Sequence, residues 1–186
     1  MSGLVVRRHG RNDAHTVRGV VSLIHRGACV REVAGGDPSA GDAEFIGRFD
    51  RYIANRGFEL VVAYEDGEPV GQAWGWPLDE RSGAAWWKGL VRPPEPGFDH
   101  EDGHRTFALS ALMVHRAWTR RGIARTLHDE LLLHRPEKRA TLLVRPGNIA
   151  AYSAYTKWGW THRATLHPDA PFAPTLDVLT LDLTPP

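Results

Sequence analysis

The sequence has 186 residues, of which 42% are hydrophobic, and its 23 basic and 22 acidic side chains leave a formal net charge of +1. This length favours one domain, and the near balance of charge argues against a surface built for nucleic acid or anionic lipid. No segment resembles a membrane span, and a lone Cys29 excludes an internal disulfide and a cysteine-rich metal site. We therefore expect residues 1–186 to form a single domain of a soluble, cytoplasmic protein without a bound metal.

The first part of the chain predicts a strand, two helices and a hairpin. Residues 4–6 form a short apolar run, and a first helix is indicated by apolar residues at helical spacing, namely Val17, Val20, Val21 and Ile24. After a break at residues 35–41, we expect Asp42 to cap a second helix with the apolar face Phe45, Phe49, Tyr52 and Ile53. Residues 59–64 and 69–76 read as strands joined by an Asp-Gly turn, which is typical of a β-hairpin.

A long insertion follows the hairpin, at about residues 79–104. It is rich in turn-forming and charged residues, yet it also contains Trp86, Trp87, Leu90 and Phe98, so we expect it to be partly ordered. Its acidic residues Glu95, Asp99, Glu101 and Asp102 could attract a cationic substrate to apolar walls formed by the two tryptophans.

The second half predicts a parallel strand pair. Residues 107–114 form a fourth strand, a helix follows with the apolar stripe Ile123, Leu127 and Leu131, and residues 140–144 form a fifth strand. Such short connections favour a right-handed crossover, so strands four and five should be parallel. A helix that Asn148 could cap and strands at 161–166 and 175–183 complete the chain. The predicted fold class is α/β (α+β), with a mixed, mostly antiparallel sheet of about seven strands and about four helices.

The junction between the fourth strand and its helix has the features of an anion site. The first amides of a helix lack internal acceptors and lie at the positive end of the helix dipole, so they can bind a pyrophosphate where side chains are small. Gly122 and Ala124 are small, and Arg120, Arg121 and Arg125 add donors at the same end. Taken alone, this pattern is equally typical of an ordinary turn beside a solvated face.

Residues 119–124 resemble the coenzyme A motif of the GNAT superfamily, in which a glutamine or arginine, two free positions, glycine, one free position and glycine or alanine cradle the pyrophosphate. Gly122 and Ala124 occupy the small positions, and Thr119 stands where the family has glutamine or arginine. A second set of residues matches the family in spacing, namely Asn148, Ala151, Tyr155, Gly159 and Trp160. The resemblance is carried by residues 107–160, and the beginning of the chain follows the family only by its pattern of elements.

This resemblance implies a GNAT fold and an N-acetyltransferase that moves the acetyl group of acetyl-coenzyme A to a primary amine by direct attack in a ternary complex. Tyr155 is implied as the general acid, because a phenol with a pKa of about 10 stays protonated at neutral pH. The cofactor-binding residues implied are Met113, Val114, Thr119, Arg120, Arg121, Gly122, Ile123, Ala124, Arg125, Asn148 and Tyr155. The acceptor is expected to be a small or medium amine, and a homodimer is one option for the oligomeric state.

Several alternatives stay open. The family often has a glutamate on the fourth strand, but this strand has no carboxylate, so Glu101, Asp102, His104 and His115 are undecided as bases. A catalytically silent domain that binds acyl-coenzyme A and a protein or peptide acetyltransferase are the other readings. The sequence lacks a glycine fingerprint after the first strand and a Gly-Lys-Ser/Thr phosphate loop, which argues against dinucleotide and nucleoside triphosphate sites.

Overall fold

The computed structural model describes residues 3–30 and 41–183, and these ranges contain eight strands and five α-helices. Their bounds are β1 Leu4–Gly10, α1 Arg18–Ala28, α2 Asp42–Tyr52, β2 Glu59–Glu65, β3 Glu68–Pro77, α3 Glu80–Trp86, β4 Leu90–Val91, β5 Thr106–Val114, α4 Ile123–Leu132, β6 Arg139–Val144, α5 Ile149–Lys157, β7 Thr161–Leu166 and β8 Leu176–Asp182. The predicted fold class is confirmed, with α3 and β4 as the two elements beyond the predicted counts. The break predicted at residues 35–41 lies almost entirely outside the described residues.

The strands hydrogen-bond in the order β1-β2-β3-β5-β6-β8-β7-β4. β5 and β6 run parallel, with Thr106 opposite Arg139 and Ala108 opposite Thr141, as the crossover through α4 predicts. The pairs β1/β2, β2/β3, β6/β8, β7/β8 and β4/β7 are antiparallel. The chain divides into two compact units, Met1–Trp76 with Ser110–Leu133, and Pro77–Leu109 with His134–Pro186. The single domain expected for residues 1–186 stays a prediction.

In the first unit, a two-residue turn joins β2 to β3. Asp66 and Gly67 both have positive φ, 52° and 85°, which is the conformation that the Asp-Gly pair favours in a hairpin. β1 pairs with the whole of β2, from Leu4 opposite Glu65 to Gly10 opposite Glu59. The first strand is therefore longer than its apolar run, because backbone pairing continues through charged residues at the edge of the sheet.

The second helix begins differently from the prediction. Gly41 is the N-cap of α2 and makes no side-chain cap, whereas Asp42 is already helical. The prediction that Asp42 caps the helix is therefore wrong, because its carboxylate binds side chains of α1 instead. Phe45 and Phe49 are buried as predicted, and both rings contact Trp74 of β3, with ring centres 5.2 and 5.1 Å away. Tertiary packing thus decided the role of Asp42.

In the second unit, the insertion is a packed structure. Asp79 and Ser82 form a capping box at the start of α3, a sequence signal for a helix that the prediction of a partly ordered insertion did not use. Hydrogen bonds to Ser82 hold the pKa of the Asp79 carboxyl below its usual value. β4 then pairs with β7, Leu90 opposite Leu166, so the far end of the insertion is anchored in the sheet.

A buried ion pair joins this insertion to β6. The Glu101 residue is 3% exposed, and its Oε1 accepts from Trp87 Nε1 at 3.0 Å and from Arg139 Nη2 at 3.2 Å. Arg139 also donates to Thr106 Oγ1 and stacks over the Phe98 ring. Glu101 therefore holds the insertion on β5 and β6. Removing one partner of such a pair would leave the other charge buried and unpaired, which is strongly destabilising.

No helix within residues 3–30 and 41–183 has both the length and the apolar composition needed to cross a membrane.

The β4/β7 anchor gives a stability test. A Cβ added at Gly89 would stand 1.9 Å from the His167 carbonyl oxygen, and Gly89 has φ of 89°, so we expect Gly89→Ala to lower the free energy of unfolding by about 3 kcal/mol or more. Gly97→Ala is the matched control, because Gly97 has φ of 73° with no atom within 4 Å and should cost only about 1 kcal/mol. Urea unfolding compares the two, and equal losses would contradict the close approach of Gly89 to His167.

Candidate active site

A short 3-10 helix connects β5 to the turn before α4. It spans Arg116–Trp118 and is capped by His115, whose Nδ1 accepts a hydrogen bond from Ala117 N at 3.2 Å. The Thr119 hydroxyl donates to the Arg116 carbonyl at 3.0 Å. The hydroxyl proton of Thr119 is therefore used in a hydrogen bond within the turn. Thr119, which differs from the family pattern, thus stabilises the conformation of the turn.

The turn ends in a conformation that leaves the amides of α4 uncapped. Gly122 is the N-cap with φ of 80°, no side chain caps it, and the position that a Cβ would take has no atom within 4 Å. Arg120 is also left-handed, with φ of 64°. Left-handed residues around a helix start turn backbone N–H groups toward one side, which makes a cavity for an anion. This backbone fits the pyrophosphate role that the sequence predicts for it.

The three arginines of the junction are exposed, and two of them are held by neighbours. The Arg121 guanidinium lies over the Trp118 ring, 4.5 Å from its centre. Arg125 Nε donates to Asp129 Oδ2 at 2.7 Å, an i,i+4 pair along α4. The predicted apolar stripe of α4 is buried, so the opposite face, with Ala124 half-buried and Arg125 exposed, is left for solvent or ligand.

The end of β5 packs closely against β3 in the same unit. Met113 and Val114 are half-buried, and Gln72 Nε2 lies 3.2 Å from Met113 Sδ. A Cβ at Gly71 would come within 3.2 Å of the Met113 carbonyl oxygen and 2.8 Å of Leu127. Glycine at position 71 therefore allows β3, β5 and α4 to approach one another closely. This contact fixes the position of the β5 backbone at Met113.

The second group of predicted site residues lies on α5 in the second unit. Asn148 is the N-cap, and its Oδ1 accepts from Ala151 N at 3.3 Å, so its predicted capping role is confirmed. Tyr155 lies two turns further and is only 9% exposed. Its ring makes edge contacts with Trp158 and Trp160, at 5.7 and 5.9 Å between centres. Residues 113–125 belong to the first unit.

The environment of Tyr155 sets the charge state of its phenol. Burial raises the pKa of Tyr155 to about 12. The phenol therefore keeps its proton through the physiological range, as the sequence predicts. Complete transfer to a thiolate of pKa about 8.5 would be uphill by about 5 kcal/mol at 1.36 kcal/mol per pKa unit. The group is thus better suited to donating a hydrogen bond than to releasing its proton fully.

The structure gives several of the remaining candidates contacts within the protein. Glu101 is sealed beside Arg139, so it neither attracts a substrate nor acts as a solvated base. Trp87, expected to line a substrate pocket, is core and is bonded to Glu101. The Asp102 carboxylate accepts from His104 N, which holds its pKa low. The His115 ring lies on the backbone of α1, where a Cβ at Gly27 would be 1.9 Å from its Cδ2.

Comparison with known proteins decides the family. The family described as acetyltransferase (GNAT) family matches residues 35–160, more than half of the chain. The chain belongs to the GNAT family. No curated protein matches it in sequence.

Solved GNAT structures share the fold at low identity. The ribosomal-protein-S18-alanine N-acetyltransferase of Escherichia coli is 13% identical with a TM-score of 0.64, covering 99% of this chain and 96% of its own. YncA of Salmonella typhimurium, solved with its cofactor acetyl-CoA, is 17% identical with a TM-score of 0.59 over 99% and 96%. PaiA N-acetyltransferase of Thermoplasma acidophilum, solved with coenzyme A, is 13% identical with a TM-score of 0.56 over 97% and 99%. At these identities, the likeness establishes the fold of the GNAT family.

The anion-binding turn can be tested with a matched pair of glycines. Gly122→Glu puts a side chain and a negative charge beside the uncapped amides, so we expect its affinity for coenzyme A to fall at least about tenfold. Gly67→Glu is the control, because Gly67 has φ of 85° and the same open surroundings and should suffer the same backbone strain. Calorimetric titration compares the two proteins. Equal affinities in folded variants would remove the pyrophosphate from this turn.

The raised pKa of Tyr155 predicts a loss of stability in alkali. Because the folded pKa is about 12 and the unfolded pKa about 10, this stabilisation is complete below pH 10 and is lost as the pH rises through 12. At pH 11, the wild type should have lost about 1.4 kcal/mol of unfolding free energy relative to Tyr155→Phe. Urea titrations of both proteins at pH 9 and pH 11 measure the difference, and an unchanged gap would mean that the phenol is solvated.

Proposed function

We propose that this GNAT protein is an N-acetyltransferase that uses acetyl-coenzyme A as co-substrate and a primary amine of a small or medium molecule as acceptor. The observation that carries the proposal is the junction at Gly122, where a left-handed glycine starts a ten-residue helix without a side-chain cap. Such a helix start needs an anion or water to satisfy its amides. Pyrophosphate is the anion that a GNAT co-substrate supplies.

The junction residues then have separate tasks. The amides that follow Gly122 hold the pyrophosphate, and Arg120 and Arg121 add charged donors beside it. The backbone of Met113 and Val114 is proposed to align the pantetheine arm, and Asn148 to contact it in addition to capping α5. These contacts raise the effective concentration of thioester at the amine, so the reaction can proceed with modest assistance from acids and bases.

The reaction is a direct transfer. The nitrogen lone pair of the neutral amine attacks the thioester carbonyl, the new C–N bond forms, and the C–S bond breaks with departure of coenzyme A as the thiol. Tyr155 is proposed to donate its O–H to the departing sulfur. Because its pKa is about 12, the phenol stabilises the developing thiolate mainly as a hydrogen-bond donor.

The acceptor class is tested by measuring coenzyme A release from acetyl-coenzyme A with polyamines, amino acids, aminoglycosides and peptides. We expect turnover with one of the small or medium amines. Turnover with peptides alone would make the chain a peptide acetyltransferase, and tight binding of acetyl-coenzyme A without any transfer would make it a silent binding domain. These assays need the full chain, because the insertion at residues 79–104 contains the buried Glu101 and its removal would disturb the fold.

We expect Tyr155→Phe to lower kcat by about 10 to 1,000-fold with little change in coenzyme A affinity, since the loss concerns the departing sulfur. The variant should fold, because within the described residues the Tyr155 hydroxyl makes no hydrogen bond that the substitution would remove. Burial accounts for the whole shift in its pKa. Steady-state kinetics with a weakly reactive amine give the most sensitive comparison.

Tyr152→Phe is the matched control on the same helix, since Tyr152 carries no proposed role and the pKa of its phenol is also raised, by burial and by the charge of Asp177. Wild-type turnover of Tyr155→Phe would show that the thiolate leaves without it.

A further inference from the structure

His25 is a buried histidine in an ordered hydrogen-bond chain. It lies on α1 and is 2% exposed, and its Nδ1 is 3.1 Å from Asp42 Oδ1. The other oxygen of Asp42 accepts from Ser22 Oγ at 2.7 Å. The His25 ring stacks on Phe45, with 3.8 Å between centres and 7° between planes. A carboxylate partner at Nδ1 fixes the tautomer, so Nδ1 carries the proton and Nε2 keeps its lone pair.

The surroundings keep this imidazole neutral at neutral pH. Burial lowers the pKa of His25, Asp42 opposes the shift, and the cations Arg48 and Arg26 reinforce it. The residues that β3 presents to α1 and α2, Gln72 and Trp74, are uncharged. His25 is therefore ready to accept a proton, and Asp42 is placed to stabilise the imidazolium that results.

A second observation indicates that a polar ligand binds between β3 and the helices α1 and α2. Gln72 Oε1 and Trp74 Nε1 are buried without a hydrogen-bond partner in the described structure. Gln72 Nε2 binds the Val21 carbonyl on α1, one turn before His25, and lies against Met113 Sδ. The Trp74 ring contacts Phe45, the ring on which His25 stacks.

Each unpaired polar group of this kind costs about 1–3 kcal/mol, so a native structure needs a reason to keep it. An amine fits both groups, because its N–H can donate to Gln72 Oε1 while a neighbouring acceptor atom takes the N–H of Trp74.

We propose that His25 is the general base of the transfer and that Asp42 is its positioning residue. The inference rests on the proposed function. When the amine nitrogen bonds to the thioester carbon it becomes positively charged, and His25 Nε2 takes one of its protons. The C–S bond then breaks, the sulfur leaves with its electron pair and takes a proton from water, and the imidazolium returns its proton to solvent. The net products are the amide and the thiol.

The test compares kcat from pH 5 to 9 for the wild type, His25→Asn and Asp42→Asn, using the amine with the highest turnover in the panel above. His25→Asn keeps an N–H for Asp42 and removes Nε2, so we expect kcat to fall about 100-fold and the acid limb to disappear. Asp42→Asn removes the anion that raises the His25 pKa, so we expect a smaller loss and an acid limb shifted to lower pH.

The matched control is His128→Asn on α4. His128 is also buried, its Nδ1 lies 2.8 Å from Asp129 Oδ1, and burial lowers its pKa as well. It should keep the wild-type kcat and pH profile.

The inference is overturned if folded His25→Asn stays within about twofold of wild type with its acid limb intact. If His25→Asn fails to fold, the inference is overturned when the acid limb of the kcat profile of Asp42→Asn lies at the same pH as that of the wild type. Absence of transfer by the wild type to any amine would contradict the proposed function itself, which is a separate outcome.

Discussion

The conformation of Gly122 is the constraint on which the junction between β5 and α4 depends. At φ of 80°, an L side chain would cost about 1–2 kcal/mol, so glycine is the residue that lets the chain leave the 3-10 helix and enter α4 directly. The same conformation leaves no side chain to cap α4 and no atom within 4 Å of the position that a Cβ of Gly122 would take. One backbone angle therefore sets both the connection and the exposed positive end of the helix.

The second unit depends on a different kind of constraint, the buried pair of Glu101 and Arg139. Desolvation of two charges is expensive, and the guanidinium recovers part of that cost by also bonding Thr106 Oγ1 and the Phe98 carbonyl. These partners come from the insertion, β5 and β6, so a single side chain ties three segments together. The charged insertion is thus part of the fold, even though its composition is that of a loop.

The proposed chemistry uses two groups whose pKa values burial moves in opposite directions. The pKa of Tyr155 rises to about 12, so it remains a donor, and that of His25 falls, so it remains an acceptor. Burial has this double effect because it disfavours the charged form in each case, phenolate for one residue and imidazolium for the other. Opposed pKa values of this kind allow one protein to supply an acid and a base at the same pH.

The sequence determined the features that depend on neighbouring residues. The Asp66-Gly67 turn, the cap at Asn148 and the buried stripe of α4 follow from local conformational preferences and helical spacing, and all agree with the structure. The GNAT family could be inferred from residues 119–124 and 148–160 because these two stretches resemble the family's motifs in residue type and in spacing along the chain.

Only the tertiary structure decided which side chains lose contact with water. Glu101 has the sequence context of a solvated loop, and it is buried because Arg139, 38 residues later, supplies the opposite charge. Asp42 has the sequence context of a helix cap, and it bonds His25 and Ser22 because α1 packs beside α2. Burial and partner are properties of contacts between distant segments, and local sequence carries no signal for them.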